Sequence, residues 1–406
     1  MSEIAPSQPT FAQAVRYWLQ LGLTSFGGPA AQIAMMQQDL VDRRRWIVQA
    51  EFLQALNFCM VLPGPEAQQL ATYIGWRLHG VRGALVAGIL FVLPGALVLY
   101  ALSWIAAAHG DTHVVRAIFD GLKPVVIAIV LQALWRISRR TLSGPVTVTL
   151  ALVAFVAIGF LSVPFPAVIL MAGVVGWVWL PSATAPRTET PPHLGRAIRL
   201  ASLYLVLLIV PVGLVIAVVG TEPFLPMARF FTQAAFVTFG GAYAVLPYVA
   251  RVAVETFHWL SPEEMINGLA LAETTPGPLI LVLQYVGFFA GWHVGGLRDA
   301  TLGAAITTYA TFLPSIFLIL IGAPYVQWIG SLRGVNAAMT GITAAVVGVI
   351  ATLAWFLGKT VYLRPDGLDL FSMAVTVVSL GIAVRWKIPV PWLVFAGAAV
   401  GLIRSM

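Results

Sequence analysis

Four short runs of glycine and proline interrupt otherwise apolar stretches of this 406-residue chain. We number them the first to fourth break, and they are Gly27-Gly28-Pro29, Pro63-Gly64-Pro65, Gly240-Gly241 and Pro276-Gly277-Pro278. Proline suits the first position of a helix and disrupts its interior, so Pro29, Pro65 and Pro278 each predict a helix that restarts. The first turn of a restarted helix has free backbone N–H groups and the positive end of the helix dipole. Such ends, meeting away from water, would bind an anion, and they suit a tetrahedral oxyanion.

A structural interpretation of the same residues is also open. Glycine allows helices to pack closely, and proline can kink a helix that then continues. The breaks recur in pairs, however, with a glycine pair followed by "PGP" in each half of the chain. This recurrence, in segments too short to cross a bilayer twice, favours a binding site over packing.

Basic side chains near the breaks are candidates for balancing the charge of an anion. Arg16 and Gln20 stand four residues apart, as do Arg229 and Gln233, so each pair shares a helix face. The alternative for both arginines is that the long side chain snorkels from a half-helix to the lipid headgroups. The sequence leaves these two interpretations open.

Three further charged residues lie within apolar segments. A lysine such as Lys123 is costly there unless it is paired, and Asp120, three residues earlier, is the expected partner. The alternative is that Lys123 attracts the anion directly. Glu66 and Glu273 flank the two "PGP" runs and would repel an anion unless protonated, so a role in proton coupling is a further hypothesis.

The remaining reactive residue types argue against catalysis. Glu51 and Glu264 are expected to be structural, since "SPEE" predicts a capping box in which Ser261 is the cap. The histidines show no metal-ligand spacing, and no nucleotide-binding loop or nucleophile elbow occurs. Cys59 is the only cysteine, which excludes an internal disulfide and a multi-cysteine metal site. We therefore expect neither an enzyme nor a cofactor.

The elements that position these residues follow from composition. Hydrophobic residues make up 59% of the chain and charged residues 10%, with a mean hydropathy of +0.90, whereas soluble domains carry about 25% charge. Many apolar runs approach the ~20 residues that a helix needs to cross a bilayer, and they are too long for barrel strands. The N-terminal sequence lacks the pattern of a cleavable signal. The sequence predicts an all-α, polytopic protein of the lipid bilayer.

An internal repeat relates the two halves of the chain. At an offset of 213 residues, 14 of the 55 positions from Phe11 to Pro65 are identical, including arginine, tryptophan, glycine and proline. After one deletion and one insertion the register resumes at an offset of 220, which aligns Pro94 with Pro314. Chance similarity between apolar sequences would match leucine, valine and alanine instead. In membrane transporters, repeats of this kind place the substrate at their interface.

The repeat divides the chain into four parts. They are an N-terminal repeat (1–180), a polar linker rich in proline and threonine (181–197), an unpaired transmembrane helix (198–220) and a C-terminal repeat (221–406). If each half crosses the bilayer an even number of times, the extra helix inverts the second half. Each break then belongs to a re-entrant pair of half-helices.

The distribution of basic residues supports this topology. With re-entrant breaks, 14 lysines and arginines share one side, 6 share the other, and Arg16, Lys123 and Arg229 lie within the membrane. The richer side is oriented towards the cytoplasm. The same rule accounts for the net charge of +7 without a nucleic-acid partner.

Several of these stretches carry a family resemblance. "LGLTSFGGPAAQI", "LPGPEAQQLATYIGW" and "ALVAGILFVLPGA" in the first half, with "TFGGAYAVLPYVA" and "LAETTPGPLILVLQYVGF" in the second, resemble the chromate ion transporter superfamily in its long, two-domain form. The resemblance covers nearly the whole chain. By motif it implies these site positions: Phe26, Gly27, Gly28, Pro29, Pro63, Gly64, Pro65, Glu66, Phe239, Gly240, Gly241, Pro276, Gly277 and Pro278. The family commonly has lysine or arginine where Gln20 stands, and here the nearby cation is Arg16.

The resemblance implies efflux of chromate, a tetrahedral dianion like sulfate, across the bacterial inner (plasma) membrane, and hence chromate resistance. The expected mechanism holds the dianion at helix N-termini with Arg16, Arg229 or Lys123. Three alternatives stay open: a transporter of sulfate or another oxyanion, an anion channel, and a membrane-embedded reductase, which would need a redox cofactor. The sequence does not decide whether the chain forms a homo-oligomer.

Overall fold

The fold is almost entirely helical, as the composition predicts. A computed structural model describes residues 8–181, 194–326, 334–364, 367–386 and 388–406. The strands β1 (Leu363–Arg364) and β2 (Gly367–Leu368) form one short antiparallel pair. Four helical stretches are long and apolar enough to cross a membrane by length and composition, and they are Glu66–His109, Gly195–Val219, Leu279–Tyr325 and Val335–Tyr362. The protein is an all-α, polytopic membrane protein.

The first half of the chain contains seven helices among the described residues. They are α1 (Phe11–Thr24), α2 (Gly28–Gln37, extended by a π-helical turn at Gln38–Arg43), α3 (Gln49–Val61), α4 (Glu66–His109), α5 (His113–Thr141), α6 (Pro145–Gly159) and α7 (Phe165–Trp179). Most of the predicted linker, 181–197, lies outside the described residues. The unpaired helix expected at 198–220 is α8 (Leu194–Val219), which begins earlier, within the segment assigned to the linker.

The second half repeats the order of the first. Its helices are α9 (Phe224–Val237), α10 (Ala242–Arg251, extended by a π-helical turn at Val252–Thr256), α11 (Pro262–Thr274), α12 (Val282–Gly322), α13 (Val335–Tyr362), α14 (Leu370–Trp386) and α15 (Val390–Ser405). Helices α1 and α9 both have 14 residues, α2 and α10 have 10, and α3 and α11 have 13. These equal lengths support the proposed division into repeats at 1–180 and 221–406.

Helices α4 and α12 each fold back on themselves at a glycine. In α4 the turn is at His79 and Gly80 (φ +62°), and in α12 it is at Gly295 and Gly296 (φ +64°). Each helix therefore has a short arm (66–78 or 282–294) and a long arm (81–109 or 297–322). The arms pack so closely that a Cβ on Gly75 would overlap the Gly83 carbonyl. At these arm glycines, which lie outside the four breaks, close packing requires the absence of a side chain.

The short arms also pair with the helices that precede them. An ion pair of 3.0 Å joins Arg77, at the end of the short arm of α4, to Glu51 at the start of α3. At the equivalent place in the second half, His293 of α12 lies 3.1 Å from Glu264 of α11. Each pair of helices thus returns to the end of the molecule where it began, with its "PGP" run at the tip.

The last two helices of each half pack against the other half. Gly121 of α5 lies against Gly397 and Gly401 of α15, and Gly176 of α7 lies against Gly341 of α13. Gly121 and Gly341 are repeat equivalents at the offset of 220. Small residues let these helix backbones approach closely. The two halves are therefore interlocked and do not form separate units.

The two long arms run antiparallel to each other. Ala84, near the start of one, packs with Ile316 and Leu320, near the end of the other. Further along, the hydroxyl groups of Tyr100 and Thr301 are hydrogen-bonded at 2.7 Å. Equivalent helices that run antiparallel are what an inverted repeat requires. Inversion with respect to the bilayer itself stays a proposal.

Candidate functional site: the hairpin tips

The chain leaves the α-helical conformation at each predicted break. We call each of these four turns, where one helix ends and the next begins, a tip. Glycines with positive φ make the turns: Gly27 and Gly28 in the first, Gly64 in the second, Gly240 and Gly241 in the third, and Gly277 in the fourth. Helix α2 then begins at Gly28 with Pro29 second, and α4 begins directly after Pro65. A helix also restarts after Pro278, but it begins with a 3₁₀ turn (Leu279–Leu281) that precedes α12.

The breaks meet in pairs that join the two halves. The Gly277 N–H donates to the Ser25 carbonyl at 2.9 Å, which connects the fourth break to the first. The Gly64 N–H donates to the Thr238 carbonyl at 2.7 Å, which connects the second break to the third. Ser25 and Thr238 are equivalent at the offset of 213, as are Gly64 and Gly277. One hydrogen bond is therefore the repeat counterpart of the other, and the breaks form two tip-to-tip contacts where a single meeting point was expected.

Two buried side chains make further links between the breaks. The amide nitrogen of Gln32 donates to the Gly277 carbonyl at 2.6 Å and to the Ser25 carbonyl at 3.2 Å. The Tyr243 hydroxyl, just after the third break, donates to the Glu273 carboxylate, just before the fourth, at 2.6 Å. All four breaks are thereby linked into one central region of the molecule.

The glycines at the tips differ from those along the arms. Gly28 and Gly241 are buried, yet a Cβ on either would meet no atom within 4 Å. Close packing therefore does not explain glycine at these two positions. Their φ angles of +77° and +92° do, because side-chain-bearing residues rarely adopt that region. Each glycine also leaves open space where a Cβ would stand, beside the first turn of α2 or α10.

The helices that restart at the tips have no side-chain caps. Neither α2, α4 nor α10 has an N-cap side chain bonded to its first turn, and the 3₁₀ turn before α12 also lacks one. By contrast, Thr10 and Ser261 form capping boxes at the outer starts of α1 and α11. Uncapped N–H groups at the tips are free to bind an anionic ligand through the helix dipole.

Buried polar atoms without a partner are concentrated near the tips. Among the described residues, 14 buried side-chain nitrogen or oxygen atoms lack a hydrogen bond. Half of them belong to residues at or close to the breaks: Ser25, Gln32, Gln68, Gln69, Gln284 and Ser315. Since buried polar groups are almost always satisfied, this central region requires hydrogen-bonding partners from outside the protein, either water or a ligand.

Four of the predicted basic and amide side chains lie elsewhere. Arg16 and Gln20 share a face of α1, as expected, but that face is exposed, whereas Tyr17 and Leu21 point into the core. Arg229 and Gln233 are exposed on α9 in the same way. Their exposure agrees with the alternative in which the arginines reach towards the lipid headgroups, and a role of these four residues in binding stays a prediction. The aromatic side chains of Phe26 and Phe239 are half-buried at the first and third breaks.

Lys123 is paired rather than free. Its ammonium group lies 2.9 Å from Asp120 and 3.7 Å from Glu263. The ion-pair interpretation is therefore confirmed, and direct attraction of the anion by Lys123 stays a prediction. Lys123 instead lines an outer cavity of about 900 Å³.

The four glutamates divide into two groups. Glu264 completes the predicted capping box, since its backbone N–H donates to the Ser261 hydroxyl at 3.2 Å, and Glu51 pairs with Arg77 as described above. The structural expectation for these two is confirmed. Glu66 is half-buried at the first position of α4, and Glu273 is buried against Tyr243. Only the second group lies at the tips.

Two outer cavities occupy equivalent places at opposite ends of the molecule. The larger is lined by Glu264 and Tyr285, and the smaller, of about 430 Å³, by their repeat counterparts Glu51 and Tyr73. The long arm of α12 separates them by about 39 Å, from its 26 residues at 1.5 Å each. Neither cavity is lined by a residue of the breaks.

Several polar residues of this region were missed by the sequence analysis, and three of them illustrate why. They are Gln68, Tyr243 and Ser315. The signal available for Gln68 was the pair of glutamines in "LPGPEAQQ", which places two polar side chains in an apolar stretch beside a break. Tyr243 and Ser315 are common in apolar helices, so their types carried no comparable signal.

Comparison with known proteins gives the family. The fold and the four tips are those of a polytopic helical membrane protein whose two equivalent halves meet where helices are broken. The chain belongs to the chromate transporter family: the family model matches residues 12–177 and again residues 225–402. Both matches begin at the first helix of a half, and both include the breaks. No solved structure matches the chain.

Curated relatives match over nearly the whole length. A chromate transport protein of Pseudomonas aeruginosa is 32% identical over 397 residues, which cover 95% of this chain and 90% of the relative. A chromate transport protein of Cupriavidus metallidurans is 28% identical, covering 97% and 93%. A probable chromate transport protein of Synechococcus elongatus is 29% identical, covering 96% and 95%. The protein is therefore a multi-pass bacterial membrane protein.

In the described part of the chain, no group of three or more His, Cys, Asp or Glu could hold a metal ion.

Proposed function

We propose that this protein is a secondary transporter that exports chromate from the cytoplasm across the inner membrane and so confers chromate resistance. The observation that carries the proposal is the pair of equivalent tip-to-tip contacts between uncapped helix restarts. Backbone N–H groups there offer several donors without placing a full charge in the bilayer, which suits a tetrahedral dianion. The relatives named as chromate transport proteins support chromate as that dianion.

The proposed direction follows from charge. In the topology predicted from the sequence, the side that carries Arg43, Arg77 and Arg140 has 14 of the lysines and arginines, so we place that side in the cytoplasm. Outward movement of a dianion is driven by an inside-negative potential at about 2.3 kcal/mol per charge per 100 mV, or about 4.6 kcal/mol for two charges. A dedicated coupling ion is therefore not required.

The two outer cavities support a carrier over a channel. In alternating access, each cavity would open to the tips in turn, while the other end stays closed. A conducting channel would instead need one continuous path. The separation of the two cavities from the tips fits an occluded state of a carrier.

Transport by the purified protein in liposomes tests this function. We expect chromate flux that saturates, that increases with a potential negative on the cytoplasmic side, and that sulfate inhibits. Flux that rises linearly to high concentration would favour a channel. Saturable sulfate flux without chromate flux would identify a sulfate transporter instead.

A further inference from the structure

The second break has neutral polar side chains for which the fold supplies no partner. Gln68, in the first turn of α4, is fully buried, and neither its amide nitrogen nor its amide oxygen is hydrogen-bonded. Ser315, on the long arm of α12, is 1% exposed, and its hydroxyl also lacks a partner. A buried amide with both ends unsatisfied is costly, so its retention beside a helix restart points to a ligand.

These side chains surround the turn itself. The Ser315 hydroxyl and the Gln69 amide nitrogen lie 2.5 and 2.7 Å from the point where a Cβ on Gly64 would stand. Gln69 is held by its hydrogen bond to the Pro63 carbonyl at 2.7 Å. The Gln68 amide nitrogen lies 3.1 Å from the corresponding point on Gly88, which Ile316 also contacts. Ile316 directly follows Ser315 in the chain, so the long arm of α12 lies beside Gly64 through one residue and beside Gly88 and Gln68 through the next.

The charged neighbour on the same helix faces away from this cluster. Glu66 precedes Gln68 by two residues, which turns its side chain by about 200° around the helix axis. The first turn of α4 thus presents N–H groups and an amide on one side and its carboxylate on the other. The cluster combines neutral donors with the positive end of a helix dipole.

The second half lacks this set of side chains. In the repeat alignment, Ile280 stands where Gln68 does, and Gly95 stands where Ser315 does. Gly95 is packed against the Pro276 carbonyl, so the space is filled by backbone there. The two "PGP" runs therefore share a backbone turn, but the positions of Gln68 and Ser315 are polar at the second break only.

We propose that Gln68 and Ser315 donate hydrogen bonds to the transported oxyanion at the restart of α4, which gives one binding site per chain. The inference rests on the proposed function and names side chains that bind its substrate. It explains how the dianion is bound although Arg16 and Arg229 are exposed and Lys123 is paired. Amide, hydroxyl and backbone N–H donors need no counter-charge for a tetrahedral dianion.

Isosteric variants test the assignment in liposomes. We expect Gln68→Met and Ser315→Ala each to raise the KM for chromate by about tenfold, the loss of one hydrogen bond to an ion. Gln68→Glu, which replaces a donor by a carboxylate, should abolish transport. Chromate should also no longer raise the Tm of the Gln68→Met protein, a measurement that needs no transport.

A structural role predicts the opposite pattern. Removing an unsatisfied amide would raise the Tm and leave the KM unchanged. Gln132→Met is the matched control, since Gln132 already donates to the Ala383 carbonyl at 3.0 Å, and it should lower the Tm without altering the KM. Unchanged KM in both Gln68→Met and Ser315→Ala would overturn this inference alone. A wild-type protein that fails to transport chromate would overturn the proposed function itself.

Discussion

At the residue scale, the glycines of this chain have two distinct roles. Along the arms, Gly75 and Gly291 are required because a side chain would overlap the backbone of the returning arm. At the tips, Gly28 and Gly241 have space for a side chain and are required by their positive φ angles. Both roles were weighed from sequence as alternatives for the same motif. The structure assigns each role to different residues.

A substitution at Gly28 should therefore strain the backbone and, when the side chain is large, fill the open space beside the first turn of α2. Gly28→Ala strains a backbone at φ +77° by about 1–2 kcal/mol, and we expect reduced transport. Gly28→Leu also fills the space beside the first turn of α2, so transport should be lost while the protein still inserts. Gly381→Leu is the control, because Gly381 has open space and an ordinary φ. Normal chromate flux through Gly28→Leu would return the first break to a purely structural role.

Exposure of Arg16 and Arg229 gives a second prediction at this scale. Both side chains lie on the outward faces of their helices, so the double variant Arg16→Ala/Arg229→Ala should transport chromate with a KM within about twofold of the wild type, the ordinary range for surface changes. Chromate resistance at normal expression and the KM in liposomes are the measurements. A strong loss of affinity would mean that these arginines turn inward in another state of the transport cycle.

At the element scale, the sequence predicted the restarts because glycine and proline act locally. The fourth break differs for a reason that the alignment contains. The second half is one residue shorter after "PGP". Three residues of 3₁₀ helix at 2.0 Å span the same 6 Å, roughly, as four residues of α-helix at 1.5 Å. The 3₁₀ turn at Leu279–Leu281 thereby compensates for the deleted residue, so that the short arms of α12 and α4 extend equally far from their "PGP" runs.

Contacts between distant elements were beyond local patterns. Helices α14 and α15 of the second half pack on α5 of the first half. This packing depends on which glycine-bearing helix faces meet, and only the folded structure shows that Gly121 lies against Gly397. The pairing of breaks across the halves was likewise not predictable, because repeat symmetry allows equivalent tips to meet each other or to meet crosswise. Only the hydrogen bonds at Ser25 and Thr238 decide between these arrangements.

The Tyr243–Glu273 hydrogen bond connects α10 to α11 and gives an element-scale prediction. Glu273→Gln keeps an acceptor for the Tyr243 hydroxyl but removes the titratable group. If the bond only positions the two helices, Glu273→Gln should retain transport, and Glu273→Ala should lose it. Transport measured against an imposed proton gradient distinguishes the roles. Loss of proton-dependent flux in Glu273→Gln, with normal folding, would instead assign coupling to this carboxylate.

At the scale of the whole molecule, interlocking limits how alternating access can occur. Because α6 and α7 pack on α13 while α14 and α15 pack on α5, the halves cannot separate as rigid bodies. The hairpins that carry the breaks are tied at their outer ends by partly exposed pairs, Arg77–Glu51 and His293–Glu264. Such exposed pairs contribute little to stability. The hairpins are therefore the elements best able to move while the interlocked helices stay in place.

The final prediction tests the inverted topology. Repeat-equivalent positions provide a matched pair of sites for labelling. Asp42 and Glu255 occupy equivalent positions after the first and third breaks, and both are exposed. In a background where the buried Cys59 is replaced by alanine, we introduce Asp42→Cys or Glu255→Cys and label intact cells with a membrane-impermeant maleimide. Glu255→Cys should react from outside, and Asp42→Cys should react only in inside-out vesicles, because we place the richer basic end in the cytoplasm. Chromate transport by each variant confirms that its fold is intact. Labelling of both from the same side would exclude inversion, and the antiparallel long arms would then need a different placement in the bilayer.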